Sequence, residues 1–178
     1  MTKTAQNYNL FLYEKLLSLG ILLCVTLIIC FIFYSDYILK IPACPLCLKE
    51  RIIYYISAPL LLALILAPKK IISLKIRRVL CFLMFIGFLI NSLLSFYHLG
   101  VEQKFWPAPA SCAIHKPENM SPDEIWKSLS QKNVPSCDVP AIHIFGISLA
   151  GWNIFISLML ASFFAYILRQ QKKYLRSA

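Results

Sequence analysis

The chain has 178 residues, of which 59% are hydrophobic and only 15% charged, and its mean hydropathy is +0.68. A water-soluble domain of this size has too small a core to hide so much apolar surface, so the solvent around most of the chain must be lipid. The net charge of +10 then reads as a membrane-topology signal, and nucleic-acid binding is the poorer reading.

Four apolar blocks carry the hydrophobic residues: 16–35, 46–67, 79–99 and 144–168. Each is about 20 residues long or slightly more, which suits a hydrocarbon core of about 30 Å. The first block is longer than a signal-peptide h-region and no A-x-A-like site follows it, so it is expected to be a retained span. A short loop, 36–45, leads to the second block, whose start is interrupted by Lys49, Glu50 and Arg51. Its first turn is expected at the interface, with Lys49 and Glu50 as anchors. Pro59 removes a helical donor in mid-span, which membrane helices tolerate when neighbours satisfy the freed carbonyl.

After the third block comes a long loop, 100–143. Phe105, Trp106, Pro107 and Pro109 open it as a chain turning along the headgroup layer would. Ser121, Pro122 and Glu124 then form a capping box that predicts a short helix lying in the interface or packed on its own loop. The expected fold is therefore an all-α integral membrane protein, 1–178 as one domain: a four-helix transmembrane bundle with a short interfacial helix in its long loop.

Charge sets the orientation. The N-terminus, the 68–78 connection and the C-terminal tail carry eleven Lys and Arg against one acid, Glu14. The two other loops and their borders carry seven basic and seven acidic residues. Because Lys and Arg concentrate in cytoplasmic segments, both termini are placed in the cytoplasm and loops 36–45 and 100–143 on the trans side.

Of seven cysteines, Cys24, Cys30 and Cys81 lie in spans and read as small apolar fillers. Cys44, Cys47, Cys112 and Cys137 fall on the trans side, where disulfides form and persist. Four cysteines allow three connectivities, and spacing favours Cys44 with Cys47 and Cys112 with Cys137. A structural staple explains the second pair, since closing that loop is worth about 3–4 kcal/mol in the chain-entropy model. It explains the first pair poorly, because four residues at a helix start need no staple. In the first turn Cys47 meets the helix dipole, and Arg51 follows at i+4; both lower a thiol pKa. A redox role is therefore expected for the Cys-Pro-Leu-Cys motif. Zinc is the competing use, with His98, His115 and His143 as further ligands, but the Cys-x24-Cys spacing of the second pair is not a short chelating one, and no metal is expected. No residues support a hydrolase, a nucleotidase or a proton pump.

The run Cys44-Pro45-Leu46-Cys47-Leu48-Lys49-Glu50-Arg51, the stretch from Tyr97-His98-Leu99-Gly100-Val101-Glu102 to Trp106 and Cys112, the later Cys137, and Phe145-Gly146 with Gly151-Trp152-Asn153 together resemble the bacterial disulfide-bond formation protein B (DsbB) family over nearly the whole chain. The resemblance implies a bacterial inner-membrane thiol:quinone oxidoreductase serving a periplasmic DsbA-type oxidase. It implies attack by that partner on the Cys112–Cys137 disulfide, then by Cys137 on Cys44, with Cys47 leaving as the thiolate that reduces ubiquinone or menaquinone. Arg51 would hold that thiolate and the quinone oxygen, and His98 and Glu102, four residues apart on one helix face, would point toward the same headgroup. Two alternatives stand beside it. A vitamin K epoxide reductase-like enzyme is disfavoured because there the loop pair precedes the Cys-x-x-Cys motif. A non-enzymatic scaffold would need only structural disulfides.

Overall fold

A computed structural model describes residues 3–66, 73–109, 112, 136–140 and 142–177. Helix α1 (Lys3–Phe33) runs into a π-helical turn, Tyr34–Ile38, closed by the Leu39 N–H to Tyr34 carbonyl bond of 3.1 Å. Helix α2 is Pro45–Leu66 and α3 is Leu74–Glu102. Strands β1 (His143–Ile144) and β2 (Ile147–Ser148) pair antiparallel, and α4 spans Leu149–Ser177.

Leu16, Leu19, Leu23 and Leu27 repeat at helical spacing along α1 and are all more than half exposed. A stripe of that kind is what lipid contact leaves on a membrane helix, whereas water would drive it inward. The 12–38, 74–102 and 149–172 segments are long and apolar enough to cross a bilayer. Helix α2 is shorter and carries Lys49, Glu50 and Arg51 near its start. The interior is held by Phe88 of α3, stacked on Phe164 of α4 and tilted against Tyr54 of α2, each at 5.8 Å between ring centroids. Toward the other end, Ser73 caps α3 through Ile76 N–H at 3.4 Å, and the buried Arg77 donates to the Leu64 carbonyl at 2.9 Å. That bond supplies a partner to one of the carbonyls a helix C-terminus leaves open.

Three expectations are corrected. The last helix begins at Leu149, not at 144, because Phe145 (φ 53°) and Gly146 (φ 79°) form a two-residue turn that joins His143 to Ser148 and Ile144 to Ile147. Two successive positive φ angles cannot belong to a helix and are the geometry of a tight hairpin, so one small β-element precedes the last helix of an otherwise helical fold. The π-helical turn carries the first helix on to Ile38 and leaves 39–44 as the connection, and α3 continues through Glu102, beyond the expected loop start at 100. The short helix expected from Ser121 lies outside the described residues.

Past Glu102 the chain doubles back. Phe105 N–H bonds the Gly100 carbonyl at 2.9 Å, and Trp106 lies parallel to Tyr97, its indole N–H on the Tyr97 carbonyl at 2.7 Å. The indole occupies the space where a Cβ at Gly100 would sit. Glycine is therefore required at that position by close approach.

Candidate active site

Pro45 opens α2, where its missing N–H costs nothing and its fixed φ suits the first turn. Cys44 thereby becomes the residue that caps the helix. Its Sγ accepts the Cys47 backbone N–H at 3.2 Å, lies 2.9 Å from the Cys47 Sγ and sits 3.5 Å from His98 Nε2. The Cys47 thiol, then His98 and the helix N–H, draw the Cys44 pKa down to about 4 against the opposing effect of burial. The anion-favouring groups thus converge on Cys44, where the sequence had placed them on Cys47. A side chain at the cap faces the open N–H groups of the first turn, whereas one inside that turn points away from them.

Both cysteines pack at the cluster of the second pair, and Cys47 also reaches a cavity. Cys44, 6% exposed, packs in one apolar cluster with Val101, Cys112 and Cys137, beneath Trp106. Cys112 and Cys137 are joined as a disulfide, while Cys44 and Cys47 are free thiols. Cys47 also lines a cavity of about 490 Å³ between α1, α2 and α4. Leu27, Ile28 and Phe31 on one side and Trp152 and Ile156 on the other make its walls apolar. Cys47, Glu50, Arg51 and Asn153 form its polar end, and Phe145, 93% exposed at the hairpin tip, stands at its edge.

Arg51 reaches this cavity, yet its guanidinium is also bonded to Asp36 at 2.6 Å. The π-helical turn is what brings Asp36 there, a pairing that spacing along α2 does not reveal. His98, 2% exposed, is behind the dithiol and not on the cavity wall. Its Nδ1 lies 2.8 Å from Glu50 Oε1, and its Nε2 is 3.8 Å from Glu102 Oε1. Glu102 does not line the cavity either.

Glu50 is the residue that sequence reasoning undervalued. Far from anchoring at the interface, it is 6% exposed and bridges His98 to Asn153, whose Nδ2 donates to Glu50 Oε2 at 2.9 Å. Asn153 also donates to Ser95 Oγ at 2.7 Å and accepts from the Tyr54 hydroxyl. Ser157 continues the chain, 3.3 Å from that hydroxyl and 3.0 Å from Asn91 Nδ2. Such satisfied polar groups deep in an apolar bundle bind helices together and fix each other's rotamers. Beyond Glu50 and His98, only Asn153 among them carried a signal in the sequence, as part of Gly151-Trp152-Asn153.

A helical membrane protein with a buried dithiol at a helix cap, packed against a second cysteine pair and open to an apolar cavity, is built for thiol–disulfide exchange at a bilayer. The family model for disulfide bond formation protein DsbB matches residues 14–167, and the chain belongs to that family. It is thus a membrane disulfide oxidoreductase. Uncharacterized protein RP370 of Rickettsia prowazekii (strain Madrid E) is 29% identical over 138 residues, covering 76% of this chain and 77% of that one. No solved structure matches significantly.

Proposed function

We propose that the protein reoxidises a DsbA-type dithiol oxidase at the periplasmic face of a bacterial inner membrane and delivers the electrons to a membrane quinone. As a single four-span domain with both termini cytoplasmic, it presents the two cysteine pairs on the trans side. The observation that carries this reading is the bridging placement of the first pair, which packs at the cluster of the Cys112–Cys137 disulfide while Cys47 also lines the cavity.

A partner thiolate attacks Cys112 Sγ, the Cys112–Cys137 bond breaks, and Cys137 leaves as a thiolate. Cys137 then attacks Cys44 Sγ in the oxidised first pair, and Cys47 becomes the thiolate. With Cys44 held in that new disulfide, the negative charge is on Cys47, facing the cavity that Arg51 also lines. The partner's second thiol releases Cys112, and the two pairs return to disulfides as two electrons and two protons leave.

The cavity's volume falls in the range of small-molecule sites, and its apolar walls with one polar end fit a ring bearing two carbonyl oxygens. A bound ubiquinone or menaquinone supplies the two-electron acceptor. Arg51 is the donor available to its oxygen. His98 is the proton route: Nε2 takes the proton beside Cys44, and Nδ1 passes one to Glu50, which reaches the cavity wall.

Thiol trapping tests the order of events. With reduced DsbA-type partner, membranes carrying Cys137→Ala should accumulate a mixed disulfide through Cys112. A protein whose cysteines are only structural would give no such adduct, and that result would reject the proposal.

A further inference from the structure

Three ligand atoms meet at the head of α2. The Sγ of Cys44, the Sγ of Cys47 and Nε2 of His98 all lie within 4.8 Å of one another. A tetrahedral d10 cation with bonds of about 2.3 Å to sulfur and about 2.0 Å to nitrogen sets its ligand atoms roughly 3.5 to 3.8 Å apart. The Cys44–His98 separation is already 3.5 Å, and the sulfurs need to part from 2.9 Å by somewhat under ~1 Å. Cys47 borders the cavity and has room to turn.

Two further observations point to a ligand. His98 Nδ1 is bonded to the buried Glu50 carboxylate at 2.8 Å, the support that orients a metal-binding imidazole and leaves its Nε2 lone pair free. Glu102, with its side chain 5% exposed, places Oε1 3.8 Å from that same Nε2, while its Oε2 is buried with no hydrogen-bond partner among the described residues. Burying a carboxylate costs free energy that a cation would recover.

We propose that the reduced Cys44–Cys47 pair, with His98 and with Glu102 available to close the fourth position, is a binding site for zinc or another thiophilic d10 cation. Binding releases the proton or protons still held by the two thiols and changes no oxidation state. The site exists only while the pair is reduced, and a cation held there prevents the sulfurs from closing to a disulfide. The sequence offers zinc with His98 as a ligand but does not show which cysteines His98 meets, because it is 54 residues from Cys44. The proposal needs only the reduced pair, so it stands apart from the identity of the electron acceptor.

The test uses the full chain in detergent with Cys112→Ser and Cys137→Ser, reduced by a phosphine under argon and freed of reductant. Cobalt(II) is the probe and zinc the competitor. The expected result is one cobalt per chain, with tetrahedral d–d bands and a thiolate charge-transfer band, displaced by zinc and absent after the pair is oxidised. His98→Ala should weaken binding at least tenfold and alter the bands. Glu50→Gln, which keeps every ligand, should weaken it by roughly 10- to 100-fold. Absence of the bands in the parent overturns the proposal. So does unchanged affinity in His98→Ala or, if that variant does not fold, in Glu50→Gln.

Discussion

Replacing Glu50 by Gln removes a charge from the centre of the buried polar chain while keeping its shape. An amide in that place can still accept from one neighbour, but its NH2 group must then face either His98 Nδ1–H or the Asn153 NH2, now at 2.8 and 2.9 Å. One charge-assisted hydrogen bond, worth about 1.5–3 kcal/mol, is lost, and a donor is left opposite a donor. The variant also lacks the group that takes the proton from His98, and a positioned acid or base contributes about 10²- to 10⁴-fold to a rate. We therefore expect quinone reduction to slow by at least ~10²-fold, about 2.7 kcal/mol in the barrier. Attack of the partner on Cys112 should keep its rate, because Glu50 is not part of that cluster. Stopped-flow mixing with reduced partner separates the two, with mixed-disulfide formation read by acid quench and quinol formation by absorbance. Equal quinol rates in parent and variant would refute the proton route. Equal losses in both steps would show that Glu50 acts only by holding the fold.

Three other expectations follow from the same geometry. In reduced protein carrying Cys112→Ser and Cys137→Ser, thiolate absorbance should persist as pH falls until about 4, where Cys44 takes up its proton. The lowered pKa means the charge-dependent stabilisation is fully present above the ordinary thiol value of 9.0 and is lost as pH falls through about 4, and His98→Ala should move that midpoint upward. Arg51→Ala removes a donor from the cavity and frees Asp36, so the quinone concentration needed for half-maximal turnover should rise about tenfold or more, as loss of a charged hydrogen bond requires; unchanged quinone kinetics would take Arg51 out of the mechanism. Gly100→Ala forces a Cβ into the Trp106 ring that covers the cysteine cluster. It should cost about 1–3 kcal/mol in detergent unfolding and speed the reduction of Cys112–Cys137 by added thiol.

The amino-acid sequence by itself determined the solvent, three of the blocks that meet it, and which cysteines lie together, because composition and local spacing register burial in lipid and the reach of a Cys-x-x-Cys turn. It also placed Arg51 near the dithiol, since i+4 on a helix is a local relation. Only the tertiary structure decided which way each group faces. Membrane helices are apolar on the lipid side and the core side alike, so periodicity does not tell Glu50 or Tyr54 which face is inward. Their partners lie far along the chain: His98 is 48 residues from Glu50, and Asn153 is 103. Cys44 displaced Cys47 as the stabilised sulfur for a related reason. Where a side chain meets the first turn's N–H groups depends on the path by which the backbone enters the helix, and that path is set by Pro45 and by the packing of Cys44 on Val101 and the second pair.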